Sequence, residues 1–168
     1  MKSKRGKFMG YDVIIIGGGA SGLMAAIAAG RRGRFALVLD QKERSGKKIL
    51  ATGNGKCNYT NHIQTPDCYR GGGKDLAFRL LKKFGWKETV DFFSELGILP
   101  KERDGYYYPN SEQAVSIAEV LRMEVLRTGG CIRCLERVRS LKKEKGEFLV
   151  ETVHVLTKEE KGHQKIIS

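Results

Sequence analysis

The chain has 168 residues, 40% hydrophobic and 30% charged, with four cysteines and a formal net charge of +12. That is enough for one ordinary domain with a core of its own, and the balance is that of a soluble globular chain rather than a disordered one. The positive charge favours anionic partners, whether phosphate-bearing cofactors, nucleic acid or acidic surfaces, without choosing among them.

Residues 1–10 form a basic N-terminal extension. They precede DVIIIGGGASGLMAAIAA, which has the outline of a signal peptide. Its glycines and serine interrupt the apolar run, and it is too short and broken to span a membrane. A cytoplasmic protein with reduced thiols is the expectation. YDVIIIG (11–17) is a continuous β-branched run, predicting a strand buried on both faces as in a parallel sheet. ASGLMAAIAAGRR (20–32) predicts a helix, and FALVLD (35–40) a second buried strand. Together they make a βαβ unit.

Residues 43–73 read as a long irregular stretch, dense in Gly, Asn and Thr and too long to be an idle loop. KDLAFRLLKKFG (74–85) and WKETVDFFSELG (86–97) follow as amphipathic helices, each ended by a glycine expected as a C-cap. Phe78, Leu81, Val90, Phe93 and Leu96 are their expected core stripes. GYYYPN (105–110) reads as a turn or short edge segment whose three tyrosines pack. Ser111 is placed to cap a helix over 112–129. CIRCLERVRSL (131–141) and GEFLVETVHVL (146–156) predict a β-hairpin turning at KKEKG. Residues 157–168 read as a polar tail or the start of a further region.

Cys57, Cys68, Cys131 and Cys134 are spaced too irregularly for a disulfide scaffold or a zinc ribbon, and no metal site is expected. Cys131 and Cys134 form C-x-x-C, but on one continuous strand positions i and i+3 point to opposite faces.

Gly17, Gly19 and Gly22 make G-x-G-x-x-G directly after the first strand and at the opening of the first helix. In that context the first glycine allows the tight turn, the second lets a pyrophosphate reach the backbone, and the third lets helix and strand pack closely. The helix N-terminus adds free N–H groups and its positive dipole end. Asp40 ends the second strand, 23 positions after Gly17, where a carboxylate accepts from an adenosine ribose and repels a 2′-phosphate. GNGKC and GGGKD do not make a P-loop, since Leu50 and Cys68 hold the first-glycine positions.

The fingerprint alone leaves NAD and FAD open. ERSGKKILATGNGKCNYTN then continues where a simple nicotinamide dehydrogenase uses a short loop. The backbone near Gly53 and Gly55, with Lys47, Lys48 and Lys56, suits a second approach to a pyrophosphate. Thr52, Asn54, Asn58 and Thr60 suit a ribityl chain or a flavin edge.

DVIIIGGGASGLMAA, VLDQKERSGKKILATGNGKCNYTN and YYYPNSEQAVSIAEVL together resemble the HI0933-like family of bacterial FAD-dependent flavoproteins, over most of residues 11–156. The resemblance implies an α/β fold, a Rossmann-like FAD-binding domain of glutathione-reductase type, with a βαβ start, a helical middle and a C-terminal β-hairpin. It implies FAD as cofactor, with Gly17, Gly19, Ala20, Ser21 and Gly22 at the pyrophosphate, Asp40 at the adenosine ribose, Gln41 also against the cofactor, and the backbone of Val138 at adenine. Lys48, Thr52, Gly55, Lys56, Cys57 and Asn58 would lie along the cofactor. Similar members are linked to aminoacetone oxidation and to reduction of unsaturated 3-oxo bile acids. They are much longer, so the chain reads as truncated: an N-terminal portion awaiting a C-terminal half or a complementary chain.

The expected function is the FAD-binding part of an oxidoreductase that moves two electrons to or from a small organic substrate, with either NAD(P)H as a transient reductant or the substrate itself reducing the flavin. The alternative is a non-catalytic dinucleotide-binding module. Nucleic acid is disfavoured, because the lysines and arginines are scattered among glutamates. No catalytic base is identifiable: His62, His154 and His163 stand in no constellation. Cys57 is expected to be a small buried packing residue rather than a redox partner.

Overall fold

The structure is a computed structural model that describes residues 10–156. The basic extension, apart from Gly10, and the polar tail after residue 156 lie outside the described residues. In chain order the elements are β1 (Val13–Ile16), α1 (Ala20–Gly30), β2 (Ala36–Leu39), β3 (Thr60–Asn61), α2 (Lys74–Leu81), α3 (Trp86–Glu95), β4 (Pro100–Arg103), β5 (Tyr106–Pro109), α4 (Ala114–Arg127), β6 (Cys131–Arg133), β7 (Glu136–Glu144) and β8 (Glu147–His154). Short 3-10 turns at Ile49–Gly55 and Pro66–Cys68 break up the stretch expected to be irregular. The chain divides into two compact units, one running to Ser45 and resuming at Val125, the other Gly46–Glu124.

In the first unit β1, β2 and β6 form a parallel sheet in the order β1-β2-β6. Central β2 is buried at all four positions, and Leu23, Ala26 and Ile27 of α1 complete the core. The expectation of burial on both faces holds for β2 and fails for β1. Among the described residues β1 pairs only with β2, so Val13, Ile14 and Ile15 are half-buried and Ile16 is 57% exposed.

The strand expected over 131–141 is two strands. Leu135 takes a positive φ of 59°, and the chain leaves the parallel sheet there to begin the hairpin of β7 and β8. Cys134 therefore lies beyond the end of β6, and the single-strand argument about the C-x-x-C pair does not apply. All four cysteines are free thiols. The hairpin turns on Lys145 and Gly146, both at positive φ, a tighter turn than the five residues expected.

In the second unit β3, β5 and β4 form an antiparallel sheet with β5 in the middle, so GYYYPN supplies a central strand and not an edge. One face of this sheet meets α3: Tyr107 stacks on Trp86 at 5.6 Å between centroids, and next to β3 Tyr59 packs on Phe93 at 5.0 Å. Of the expected helical core stripes only Phe93 is fully buried; Phe78, Leu81, Val90 and Leu96 are half-buried. The other side of α2 leaves Leu76 and Leu80 more than half exposed.

Two caps differ from expectation. Gly97 ends α3 at φ 85° as foreseen, but Gly85 sits at φ −96° and opens α3 instead of closing α2. Its N–H donates to the Glu88 carboxylate at 2.9 Å. Glu112 has φ 52°, so α4 cannot start there and begins at Ala114. Ser111 Oγ accepts the Gln113 N–H at a long 3.4 Å and approaches Ser116 Oγ at 2.9 Å.

Candidate functional site

The glycine-rich corner of the first unit is built as its spacing demands. Gly17 has φ 104°, a conformation side chains rarely adopt, and its N–H donates to the Leu39 carbonyl at 2.8 Å. A Cβ on Gly22 would lie 1.9 Å from the Gly17 carbonyl oxygen, so only glycine lets α1 approach β1 this closely. A Cβ on Gly19 would meet nothing within 4 Å. No side chain caps the N-terminus of α1, and Ala20 and Ser21 are exposed. The first-turn N–H groups of such a helix have no intrahelical partner. Open space over Gly19 and bare amides around it make a cradle for a phosphate-sized anion.

Asp40 faces the same corner. Its carboxylate accepts the Gly18 N–H at 2.9 Å through one oxygen and the Lys42 N–H at 2.9 Å through the other. Each oxygen keeps a second acceptor direction for a ligand hydroxyl. The carboxylate thus also braces the glycine loop, a role its position in the sequence does not disclose.

The start of the hairpin is tied to this place. The Asp40 carbonyl accepts the Glu136 N–H at 2.9 Å, and Arg137 Nε donates to Gln41 Oε1 at 3.2 Å. Val138 follows, half-buried, at a register irregularity of the hairpin between Val138 and Ser140. Gly17, Gly19, Ala20, Ser21, Gly22, Asp40, Gln41 and Val138 all belong to the first unit.

Lys48, Thr52, Gly55, Lys56, Cys57 and Asn58 belong to the second. There the chain coils through Gly53, Asn54, Gly55 and Cys57 at positive φ. Thr52 Oγ1 donates to the Ile49 carbonyl at 2.6 Å, and Lys48 is exposed. Asn58 Nδ2 donates to the carbonyls of Thr60, at 2.9 Å, and Tyr107, at 3.1 Å, which ties the coil to β5 and leaves only its Oδ1 as an acceptor. Cys57 is 5% exposed, and burial pushes its thiol up from the ordinary value, against a hydrogen bond with Thr52 that lowers it. Such a thiol is a packing residue and a poor nucleophile at neutral pH.

Lys56 pairs with the Glu112 carboxylate at 3.5 Å, as does Lys101 at 2.5 Å, and Arg103 makes a third contact. These partners hold the Glu112 carboxyl below the usual glutamate range, the Lys101 hydrogen bond most of all. The sequence reading missed this cluster; the only signal for it was the basic KER run two residues before the tyrosines. His62 lines a separate cleft of about 290 Å³ with Gln64, Phe78, Trp86 and Glu88, whose carboxylate accepts the Gly85 N–H. Among the described residues no group of three or more His, Cys, Asp and Glu is placed to hold a metal ion, and no helix is long and apolar enough to cross a membrane.

The family model of the HI0933-like protein Rossmann domain matches residues 11–167. A 3-dehydro-bile acid delta(4,6)-reductase of Clostridium scindens is 49% identical over 138 residues, covering 81% of this chain and 34% of that protein. A ribosomal RNA dihydrouridine synthase of Escherichia coli is 29% identical over 141 residues, covering 84% and 35%. The chain spans about a third of the length of these curated relatives. Among solved structures, THI4 of Thermovibrio ammonificans superposes with a TM-score of 0.54 at 19% identity, covering 83% of this chain and 45% of that one, a likeness of fold.

Proposed function

The chain belongs to the HI0933-like Rossmann-domain family, and on that premise we propose that it is the FAD-binding portion of a flavin-dependent oxidoreductase. The observation that carries this reading is the open cradle at Gly19 beside the Asp40 carboxylate. Amides of Gly19, Ala20 and Ser21 receive the pyrophosphate, and Asp40 with Gln41 receives the adenosine ribose. The backbone around Val138 meets the adenine. FAD supplies two-electron chemistry at its flavin ring, and the protein supplies binding and orientation.

The second unit's Lys48, Thr52, Gly55 and Lys56 are assigned to the same cofactor by family resemblance. Cys57 and Asn58 serve it indirectly, by fixing the coil that carries these four. The substrate is a small organic molecule that is reduced, in line with the Clostridium scindens reductase at 49% identity, and NAD(P)H is the transient reductant. An RNA substrate is the second reading, favoured by the net charge of +12 and the Escherichia coli relative.

The test is to purify the chain, record its visible spectrum and identify the cofactor released on denaturation. Yellow protein releasing FAD is the expected result. Colourless protein that takes up no added FAD, yet binds other adenine dinucleotides, would overturn the reading in favour of a non-catalytic module. Turnover of an unsaturated 3-oxo steroid against that of a uridine-containing RNA then separates the two substrate readings.

A further inference from the structure

The antiparallel sheet of the second unit has a face with no role in the cofactor reading. Directly paired residues of antiparallel strands share a side, and so do residues two apart. Lys101 pairs with Tyr108 and Arg103 with Tyr106, so two tyrosines and two cations stand on one face. Tyr107 points the other way, into its stack with Trp86. Tyr106 is 47% exposed, and Tyr108 is half-buried. Both line an open cleft of about 530 Å³, together with Lys56 and Arg103.

Glu112 sits at the edge of this cleft in a left-handed backbone conformation, with Lys56, Lys101 and Arg103 all drawn to its carboxylate. The cluster holds three cations in place around an oxyanion. Each keeps N–H donors that one carboxylate cannot use, since an ammonium has three and a guanidinium five. Asp104 on the rim is the second carboxylate nearby, so the cations stay in excess.

We propose that this face is a nucleotide subsite, in which a heteroaromatic base stacks on Tyr106 and Tyr108 and its phosphate is held by Arg103 and Lys101. Tyrosine rings lining an open cleft accept any base by its π-face, and a cationic rim selects the phosphorylated form. Tyr106, Tyr108, Arg103 and Lys101 all lie in Gly46–Glu124 and none of them is assigned to FAD, so the proposal does not depend on the glycine cradle or on the cofactor reading. The nucleotide comes either from a soluble nicotinamide dinucleotide or from an RNA strand; both present a base and a phosphate.

The experiment titrates the full chain with 5′-uridine monophosphate and with uridine, by ligand-observed NMR, with and without saturating FAD. The monophosphate is expected to bind saturably and about tenfold more tightly than uridine, with the same affinity in both conditions. Tyr106→Ala weakens it by at least about fivefold, while Tyr106→Phe keeps the ring and the affinity. Arg103→Gln weakens the monophosphate and leaves uridine unchanged. Competition arms separate the sources. NADPH displacing the monophosphate with a shallow salt dependence identifies the dinucleotide; an oligouridylate displacing it with a steep one identifies RNA. No saturable binding, abolition of binding by FAD, variants without effect, or failure of both competitors would each overturn the proposal. A chain that never takes up FAD but passes these tests would sink the cofactor reading alone.

Discussion

Gly19 and Gly22 lie in one fingerprint, yet the structure assigns them separable work, and alanine at each position tells the two apart. At Gly22 the added methyl would meet the Gly17 carbonyl oxygen at 1.9 Å and Ile15 Cγ2 at 3.3 Å, where contacts under 3.0 Å are essentially never seen. Helix α1 has to retreat from β1 by about 1 Å, an overpacking cost of about 1–3 kcal/mol. For a chain of this size that lowers Tm by about 2–12 °C, with or without FAD. At Gly19 φ is −74° and the methyl enters empty space. The fold loses only part of an N-cap preference, under about 1 kcal/mol. The methyl does occupy the place a pyrophosphate needs, so FAD affinity falls about tenfold or more, or about 1.4 kcal/mol. Thermal unfolding of the apo-proteins and quenching of FAD fluorescence measure the two effects independently. A Gly19→Ala protein with undiminished FAD affinity refutes the cradle, and a Gly22→Ala protein with unchanged Tm refutes the close helix–strand approach.

Three further outcomes follow from the charge and burial of single groups. The Glu112 carboxyl is held below its ordinary 4.5, so its stabilising contribution is present above that value and is lost as pH falls through its folded value. The Tm difference between wild type and Glu112→Gln should stand at neutral pH and close in acid; a constant gap would rule out the cation cluster. Of the thiols, exposed Cys68 is lowered, chiefly by the Thr65 side-chain hydrogen bond, while buried Cys57 is raised. Mass spectrometry after brief alkylation near neutral pH should find Cys68 modified first and Cys57 protected, and early labelling of Cys57 would show the coil to be open. Tyr59, its hydroxyl buried, is pushed up to about 12 by burial, with Tyr107 and Cys57 adding to the shift. Ultraviolet titration should show one of the six tyrosines ionising last, its contribution to stability intact below about 10 and lost as pH rises through 12. That last ionisation should disappear in Tyr59→Phe.

The glycine cradle was legible because all of its determinants are local. A turn, a helix start and a strand end within residues 17–40 fix the geometry of each glycine before any distant contact is made. Elements whose character depends on a distant partner were read less well. β1 has the composition of a doubly covered strand, but burial is decided by what lies on either side, and among the described residues only β2 lies beside it. Gly85 is as good a helix start as a helix end, and the choice was made by Glu88, one turn further on. The break at Leu135 is invisible to a pattern reading, since residues on both sides of it are strand-like; what enforces it is the tie of the Leu135 N–H to the Lys42 carbonyl.

The same distinction explains why the tyrosines were read as packing. Three consecutive tyrosines have no faces until a strand register assigns them. That register rests on β4, four residues beginning with a proline and followed by Lys, Glu and Arg, which no hydrophobic alternation marks as a strand. Once β4 pairs with β5, Tyr107 is committed to α3, and Tyr106 and Tyr108 are left beside two cations. A single-residue slip of β5 would reverse the arrangement, burying two tyrosines and exposing one. The Asn58 side chain opposes that slip, because its amide holds the Tyr107 carbonyl and the Thr60 carbonyl together. Asn58→Ala should therefore disturb the cleft without touching any residue that lines it. An Asn58→Ala protein that binds the monophosphate as wild type does would show that the register is set elsewhere.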